Sequence, residues 1–224
     1  MMLGLTQPMR TILVSFILAG LLSAAERVAT PIDNDQVRVL DVTVQPHEKT
    51  RLHEHKVNRV MIYLDDGSQH FEYQGKGPSD LKWKAGQALW SPAAGMHTAE
   101  ITSTTPVRII EVELKKPISG QQPSGPLDPV KVDPKHYKVE FENDQVRVVR
   151  VKIGPGETAP KHEHKLNRVV VYLSDQDFRV TNADGKVETP HHAAGDVSFS
   201  GPATHTETNV GKKPFEVVVV ELKG

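Results

Sequence analysis

The 224-residue chain contains no cysteine. Disulfides, thiolate metal sites and cysteine nucleophiles are thereby excluded, and so is a lipid-modified cysteine near the N-terminus. An exported chain without a disulfide fits a bacterial periplasm better than a small extracellular disulfide scaffold. Neither sign of charge is in excess: 27 basic residues stand against 28 acidic ones, a formal net charge of -1. No basic stripe points to nucleic acid and no acidic run marks a disordered tail, so no nucleic-acid partner is expected. A sustained 3.6-residue apolar period with capping residues is missing beyond the N-terminal segment, which argues against helices.

Long apolar runs are equally scarce. The run TILVSFILAGLLSAA, Thr11 to Ala25, follows Arg10, which is the sole charge before Glu26. It is shorter than the roughly 20 apolar residues a spanning helix needs. A basic residue, a short apolar segment and then Ser23, Ala24 and Ala25 match a secretory signal peptide cleaved after Ala25. Residues 1–25 are read as that signal, with a periplasmic or secreted location and no membrane association once it is removed.

What remains is written twice. Asn34-Asp35-Gln36-Val37-Arg38-Val39 recurs as Asn143-Asp144-Gln145-Val146-Arg147-Val148, and His53-Glu54-His55-Lys56 as His162-Glu163-His164-Lys165. Ala85-Gly86 returns as Ala194-Gly195, and His97-Thr98 as His205-Thr206. Each half closes on a Val/Ile-rich run, VRIIEVELK and EVVVVELK. A tandem duplication follows. The expected units are an N-terminal domain over 26–116, a linker over 117–134 and a C-terminal domain over 135–224. The prolines and glycines between Lys115 and Tyr137 argue against regular structure there.

Within each half the signals are for strands. VRVLDVTV, VNRVMIYL and VRIIEVEL are rich in β-branched residues and separated by turn residues. Side chains alternate along a strand, so if His53 and His55 face inward, Val57, Arg59, Met61 and Tyr63 do too. Leu166, Arg168, Val170 and Tyr172 follow His162 and His164 in the same way. The opposite face, Val60, Ile62 and Leu64 with Val169, Val171 and Leu173, is also apolar, so the strand is covered on both sides. The expected cover is the other repeat or another subunit.

Two histidines at i and i+2 bring two imidazoles to one strand face, and a third from a distant strand completes a facial set of three nitrogen ligands. His97 and His205 are the third members. The metal-ligand set is therefore His53, His55 and His97 in one half, and His162, His164 and His205 in the other. Imidazole suits iron, manganese, zinc, nickel or copper alike. The ordinary alternative is a hydrogen-bonded polar network inside the barrel.

These residues resemble the two motifs of the cupin superfamily, G(X)5HXH(X)3–4E(X)6G and G(X)5PXG(X)2H(X)3N, and the duplication resembles a bicupin. His53 and His55 match the paired histidines, Gly86 and Pro92 the opening of the second motif, and His97 its histidine. In the second half Gly156, His162, His164, Gly195, His205 and Asn209 match. The resemblance spans nearly the whole chain after residue 25. It implies an all-β fold of two tandem cupin-type jelly-roll β-barrels, with a divalent metal (Fe, Mn or Zn) in each. Many cupins dimerise through strand faces, so a homodimer is one expectation and mutual cover by the linked repeats is the other.

The departures are specific. Arg59 and Arg168 stand at the motif glutamate, His47 and Ala94 at motif glycines, and Ser200 at the motif proline of the second half after a one-residue deletion. A four-ligand site with glutamate is not expected, although the family includes three-histidine thiol and diketone dioxygenases. Arginine stays protonated and is repelled by a cation a few Å away. It must turn away, pair with a carboxylate such as Glu100 or Glu207, clamp an anionic ligand with its fork, or replace the metal in an anion pocket. Arg59 and Arg168 are accordingly the expected substrate-binding residues, while no catalytic residue is assigned. Asn58 and Asn167 are read as turn or backbone-bonding residues. His47, His70, His136, His191 and His192 are read as solvated.

The expected function is a metal-dependent enzyme acting on a small polar or anionic ligand, a dioxygenase or isomerase. The alternative is a non-catalytic periplasmic module that binds an anion or sugar.

Overall fold

The structure, a computed structural model, describes residues 27–116 and 120–224. The expected signal peptide lies outside the described residues. The first half forms β1 (Arg27–Asp33), β2 (Val37–Val44), β3 (His53–His55), β4 (Arg59–Tyr63), β5 (Gly67–Tyr73), β6 (Ser79–Trp83), β7 (Ala88–Ser91), β8 (Ala94–Ile101) and β9 (Val107–Leu114). After the one-turn helix α1 (Pro129–Val132), the second half forms β10 (Tyr137–Glu142), β11 (Val146–Ile153), β12 (Thr158–His164), β13 (Arg168–Tyr172) and β14 (Gln176–Asn182). It continues with β15 (Val187–Glu188), β16 (His191–His192), β17 (Val197–Ser200), β18 (Ala203–Asn209) and β19 (Phe215–Leu222).

Each half is a pair of antiparallel sheets. A five-stranded sheet, β1-β2-β9-β4-β7, faces a four-stranded one, β3-β8-β5-β6. The second half repeats this as β10-β11-β19-β13-β17 facing β12-β18-β14-β15, with β16 also on β14. This is the all-β, two-barrel architecture expected from the resemblance. The burial of VRVLDVTV in β2 alternates in part, as a strand with both faces in use must.

The two five-stranded sheets pack on each other. One core joins Val39, Val60, Ile62 and Val112 of the first half to Val148, Val169, Val171 and Val220 of the second. The apolar outer face of the His-x-His segment is thus covered by the other repeat within one chain. Inner faces fill separate cores, with Met61, Tyr63 and Trp83 in one barrel and Tyr172, Phe178 and Phe215 in the other.

Polar contacts across this interface come in reciprocal pairs. The Asn58 amide donates to Gln145 Oε1 at 2.5 Å, and the Asn167 amide donates to Gln36 Oε1 at 2.5 Å. Arg108, paired with Asp41 at 2.7 Å, donates to the Gly195 carbonyl at 3.1 Å. Arg150, paired with Glu216 at 3.1 Å, donates to the Gly86 carbonyl at 2.5 Å. The repeats have exchanged which strand carries the cation, yet each arginine holds the other half's glycine. Gly195 has φ +87°, and a Cβ there would lie 2.1 Å from Arg108 Nη1. A side chain there would be strained by the backbone and would displace the arginine.

Two expectations need correction. The His-x-His segment does not run on as one strand: β3 pairs with β8 in one sheet, whereas β4 pairs with β9 and β7 in the other. Residues 56–58 switch sheets, and Asn58 holds the switch by accepting from Ala93 N at 2.8 Å. The inward phase of Arg59, Met61 and Tyr63 survives the break. The segment between the halves is not wholly irregular either. Asp128 caps α1 by accepting from Val130 N at 3.2 Å, and Pro129 occupies the first helical turn, where its missing N–H is no loss.

Candidate metal centres

The three expected histidines of each half converge. In the first barrel β3 supplies His53 and His55, and His97 on β8 stands opposite His53 in register. In the second β12 supplies His162 and His164, and His205 on β18 stands opposite His162. In each triad one ring nitrogen per histidine lies within 4.8 Å of the other two.

The hydrogen bonds behind the rings decide what their inner nitrogens can do. Nδ1 of His53 donates to Arg51 O at 2.7 Å, that of His97 to Gly95 O at 2.8 Å, and that of His162 to Pro160 O at 2.8 Å. A carbonyl only accepts, so each Nδ1 carries the hydrogen and each Nε2 is a bare lone pair. His53 Nε2 and His55 Nε2 stand 3.1 Å apart. Two nitrogens bound at right angles to one ion, each at about 2.1 Å, would stand about 3.0 Å apart. The donor set and its spacing fit a divalent metal.

The second centre is backed more strongly. His164 Nδ1 donates to Glu221 Oε1 at 3.2 Å, and Glu221 Oε2 accepts from Arg147 Nε at 2.5 Å. Arg147 in turn donates to both oxygens of Asp128, at 2.8 and 3.1 Å. All four are buried. A carboxylate behind a ligating histidine fixes its tautomer and raises its basicity. In the first barrel the corresponding Glu113 takes Arg38 at 2.5 Å, but that arginine is half-exposed.

Burial favours the neutral form of His55, His97, His162, His164 and His205, the form a ligand must take. It pulls His55 down to about 3, helped by the charge of Arg59, and His205 down to about 3, helped by His162 and His164. His97, His162 and His164 are lowered too, with burial the largest cause in each.

Both arginines face their triads, but they are engaged differently. Arg59 Nη1 donates to Glu111 Oε2 at 2.7 Å and lies 2.9 Å from His55 Nε2, while Nη2 donates to Ser91 Oγ at 3.0 Å. Its partner is therefore neither of the carboxylates expected, Glu100 or Glu207. Glu111 reaches it because β9 lies beside β4, opposite Met61 in register. Arg168 has one bond, from Nη1 to Gly201 O, and no ion pair among the described residues. Val219 takes the place of Glu111, opposite Val170.

Other residues at the centres were not singled out from the sequence. The Tyr137 hydroxyl lies 3.2 Å from His162 Nε2 and 3.3 Å from Glu207 Oε2. Burial pushes the Glu207 carboxyl up to about 7, against the pull of Tyr137 and Arg168. His136, expected to be solvated, is buried, with Asp133 at 2.6 Å and Glu157 at 3.1 Å on its two ring nitrogens. His192 is only partly exposed and stacks on Tyr172 at a ring distance of 3.8 Å. It copies Trp83, which stacks on Tyr63 at 4.2 Å. Each barrel has a cavity at its triad, about 390 Å³ in the first and about 450 Å³ in the second.

No family model matches the sequence, and no curated protein does. Solved structures do match. AerE from Microcystis aeruginosa is 12% identical with a TM-score of 0.66, over 90% of this chain and 94% of that one. The oxalate decarboxylase of Bacillus subtilis, a structure described for its Mn(II) centres, is 16% identical with a TM-score of 0.61, over 88% and 72%. A Cupin 2 conserved barrel domain protein from Leptotrichia buccalis is 12% identical with a TM-score of 0.55, over 89% and 90%. At these identities the likeness is one of fold: two tandem cupin-type barrels, each carrying a histidine triad.

Proposed function

We propose that this chain is an exported, divalent-metal-dependent bicupin that transforms a small polar or anionic molecule by oxygenation or isomerisation. The observation that carries the reading is the tautomer lock. His53 and His97 in the first barrel and His162 in the second are tied through Nδ1 to backbone carbonyls, which leaves each Nε2 lone pair free to face the other histidines of its own triad. Manganese heads the metals, because the Bacillus subtilis relative is described for Mn(II), with iron and zinc as the alternatives that imidazole donors also accept. When bound, such an ion polarises a substrate oxygen and lowers the barrier to charge development there. The chain's own residues supply the rest. The Glu221–Arg147–Asp128 series keeps His164 oriented, and Tyr137 holds a proton between His162 and Glu207.

The test is turnover after controlled loading. Chelated protein receives Mn(II), Fe(II) or Zn(II) and is assayed on a panel of small carboxylic acids, ketones and sugars for oxygen uptake and isomer formation. Metal-dependent turnover that His162→Ala or His53→Ala removes is expected. Metal binding without turnover on the panel would contradict the enzymatic reading.

A second reading, a non-catalytic binding barrel, is favoured in the first half by one observation. Arg59 Nη1 sits 2.9 Å from the nitrogen His55 would offer to a metal. Stabilisation by anions or sugars in the presence of chelator would support it. Export rests on residues 1–25, and a mature chain beginning at Glu26 is the expected product of N-terminal sequencing from a periplasmic fraction or medium.

A further inference from the structure

The strands of the two repeats correspond in order and register, so residues at matching register positions can be compared. At three cavity positions the second barrel carries the more polar residue. Leu89, opposite Met61, becomes Ser198, opposite Val170. Gly67 with Trp83 becomes Gln176 with His192. In the first barrel Trp83 is buried core, and its Nε1 donates to Asp65 O at 2.9 Å. In the second Gln176, His192 and Ser198 all line the cavity. At these positions the second cavity is the more polar.

Charge follows the same division. Arg59 gives Nη1 to Glu111 and His55 and Nη2 to Ser91, which leaves only its buried Nε without a partner among the described residues. A ligand carboxylate there would compete with a glutamate already held in place. Arg168 lines the second cavity, and its Nε and Nη2 have no partner among the described residues. Those two groups form one edge of the guanidinium, the edge whose spacing matches a carboxylate. Glu207 does not take it: that side chain is bonded to Tyr137 and makes no ion pair with Arg168. In the same cavity Gln176 is 4% exposed, and its Oε1 is buried without a partner. An orphaned buried acceptor calls for a donor.

We propose that the C-terminal barrel, and not the N-terminal one, seats a small hydroxylated carboxylic acid, with Arg168 taking the carboxylate and Gln176 Oε1 accepting from a hydroxyl. This rests on the reading that the barrels serve small anionic molecules, and it assigns that role to one of them. The glutamate-to-valine difference between Glu111 and Val219 is what frees the second arginine.

Calorimetric titration of the full chain with 3-hydroxybutyrate and with butyrate tests it, with metal content measured on each sample. Expected are one equivalent per chain, at least tenfold tighter binding of the hydroxy acid, and loss of that preference in Gln176→Leu. Arg168→Gln should weaken binding at least ten times more than Arg59→Gln does. Val219→Glu, which rebuilds the first barrel's ion pair, should abolish it, and Arg168→Gln answers alone if that variant melts early. Two equivalents per chain, equal affinity for the two acids, a larger loss in Arg59→Gln, or no saturable heat would each overturn the proposal. A chain that binds the acid at Arg168 but holds no metal would sink the metal reading and leave this one standing. Two metals per chain without acid binding would do the reverse.

Discussion

Glu221 accepts from Nδ1 of His164 at 3.2 Å while its other oxygen holds Arg147 at 2.5 Å. Neutralising the glutamate weakens the base behind the ligand without moving it. Glu221→Gln is expected to lower metal affinity at the C-terminal centre by about tenfold to hundredfold and to leave the N-terminal centre unchanged. Competition against a chromophoric chelator, resolved into two steps, reads both centres in one titration. Equal weakening of the two would contradict the assignment.

In the N-terminal barrel the obstacle is Arg59. Removing it alone takes the cation from Glu111, whose side chain is 12% exposed, a change that destabilises by about 3–5 kcal/mol. Arg59→Leu with Glu111→Leu removes both charges together. The double variant should regain most of that stability and bind metal more tightly at the first centre than the natural chain does. Urea unfolding and the same chelator competition check the two halves of the statement. Weaker first-site binding in the double variant would mean that the arginine supports the metal.

The core shared between the repeats makes them one cooperative unit. Ile62 is fully buried in it, packed among residues of both halves. Ile62→Ala should destabilise the whole chain by about 2–5 kcal/mol. Both tryptophans, Trp83 and Trp90, lie in the first half, so fluorescence follows that half while circular dichroism follows both. Coincident urea transitions are expected in the natural chain and the variant alike. A fluorescence transition that precedes the dichroism change would show two independent barrels.

Neutral buried imidazoles make the metal-free protein sensitive to acid. His55 and His205 are held near 3 by burial, against 6.5 when unfolded. Between those values the unfolded chain binds protons that the folded chain refuses, so stability falls as the pH is lowered. It is fully present above about pH 6.5 and is lost progressively towards pH 3. In chelator, the melting temperature should drop across this window and drop less in His55→Asn with His205→Asn. A flat profile in the natural chain would contradict the buried, neutral assignment.

The architecture was legible because it is local and repeated. The β-branched runs, the turn residues between them and the doubled His-x-His motif announce strands, a barrel and a ligand set. Most of what distinguishes the two centres was not. Arg59 meets Glu111 on the neighbouring strand of one sheet, and His164 meets Glu221 across two sheets, and no spacing along the chain encodes either. Tyr137 and Asp128 had no counterpart to draw attention to them: the first falls where the other half has Val28, the second in the segment between repeats. His192 was hidden by its partner, because Trp83 against histidine reads as free drift until both are seen stacked on the same tyrosine. His136 looked solvated because its partners, Asp133 and Glu157, flank it from a turn and a distant loop. Where the repeats diverge at these positions, the two cavities are lined differently.

The most direct measurement is the metal content of the gently purified chain and of two variants, His97→Ala and His205→Ala. Two equivalents in the natural protein and one in each variant is the predicted result, with the melting temperature falling on chelation. Substoichiometric metal even after reloading, with a melting curve that chelator does not move, would contradict the account.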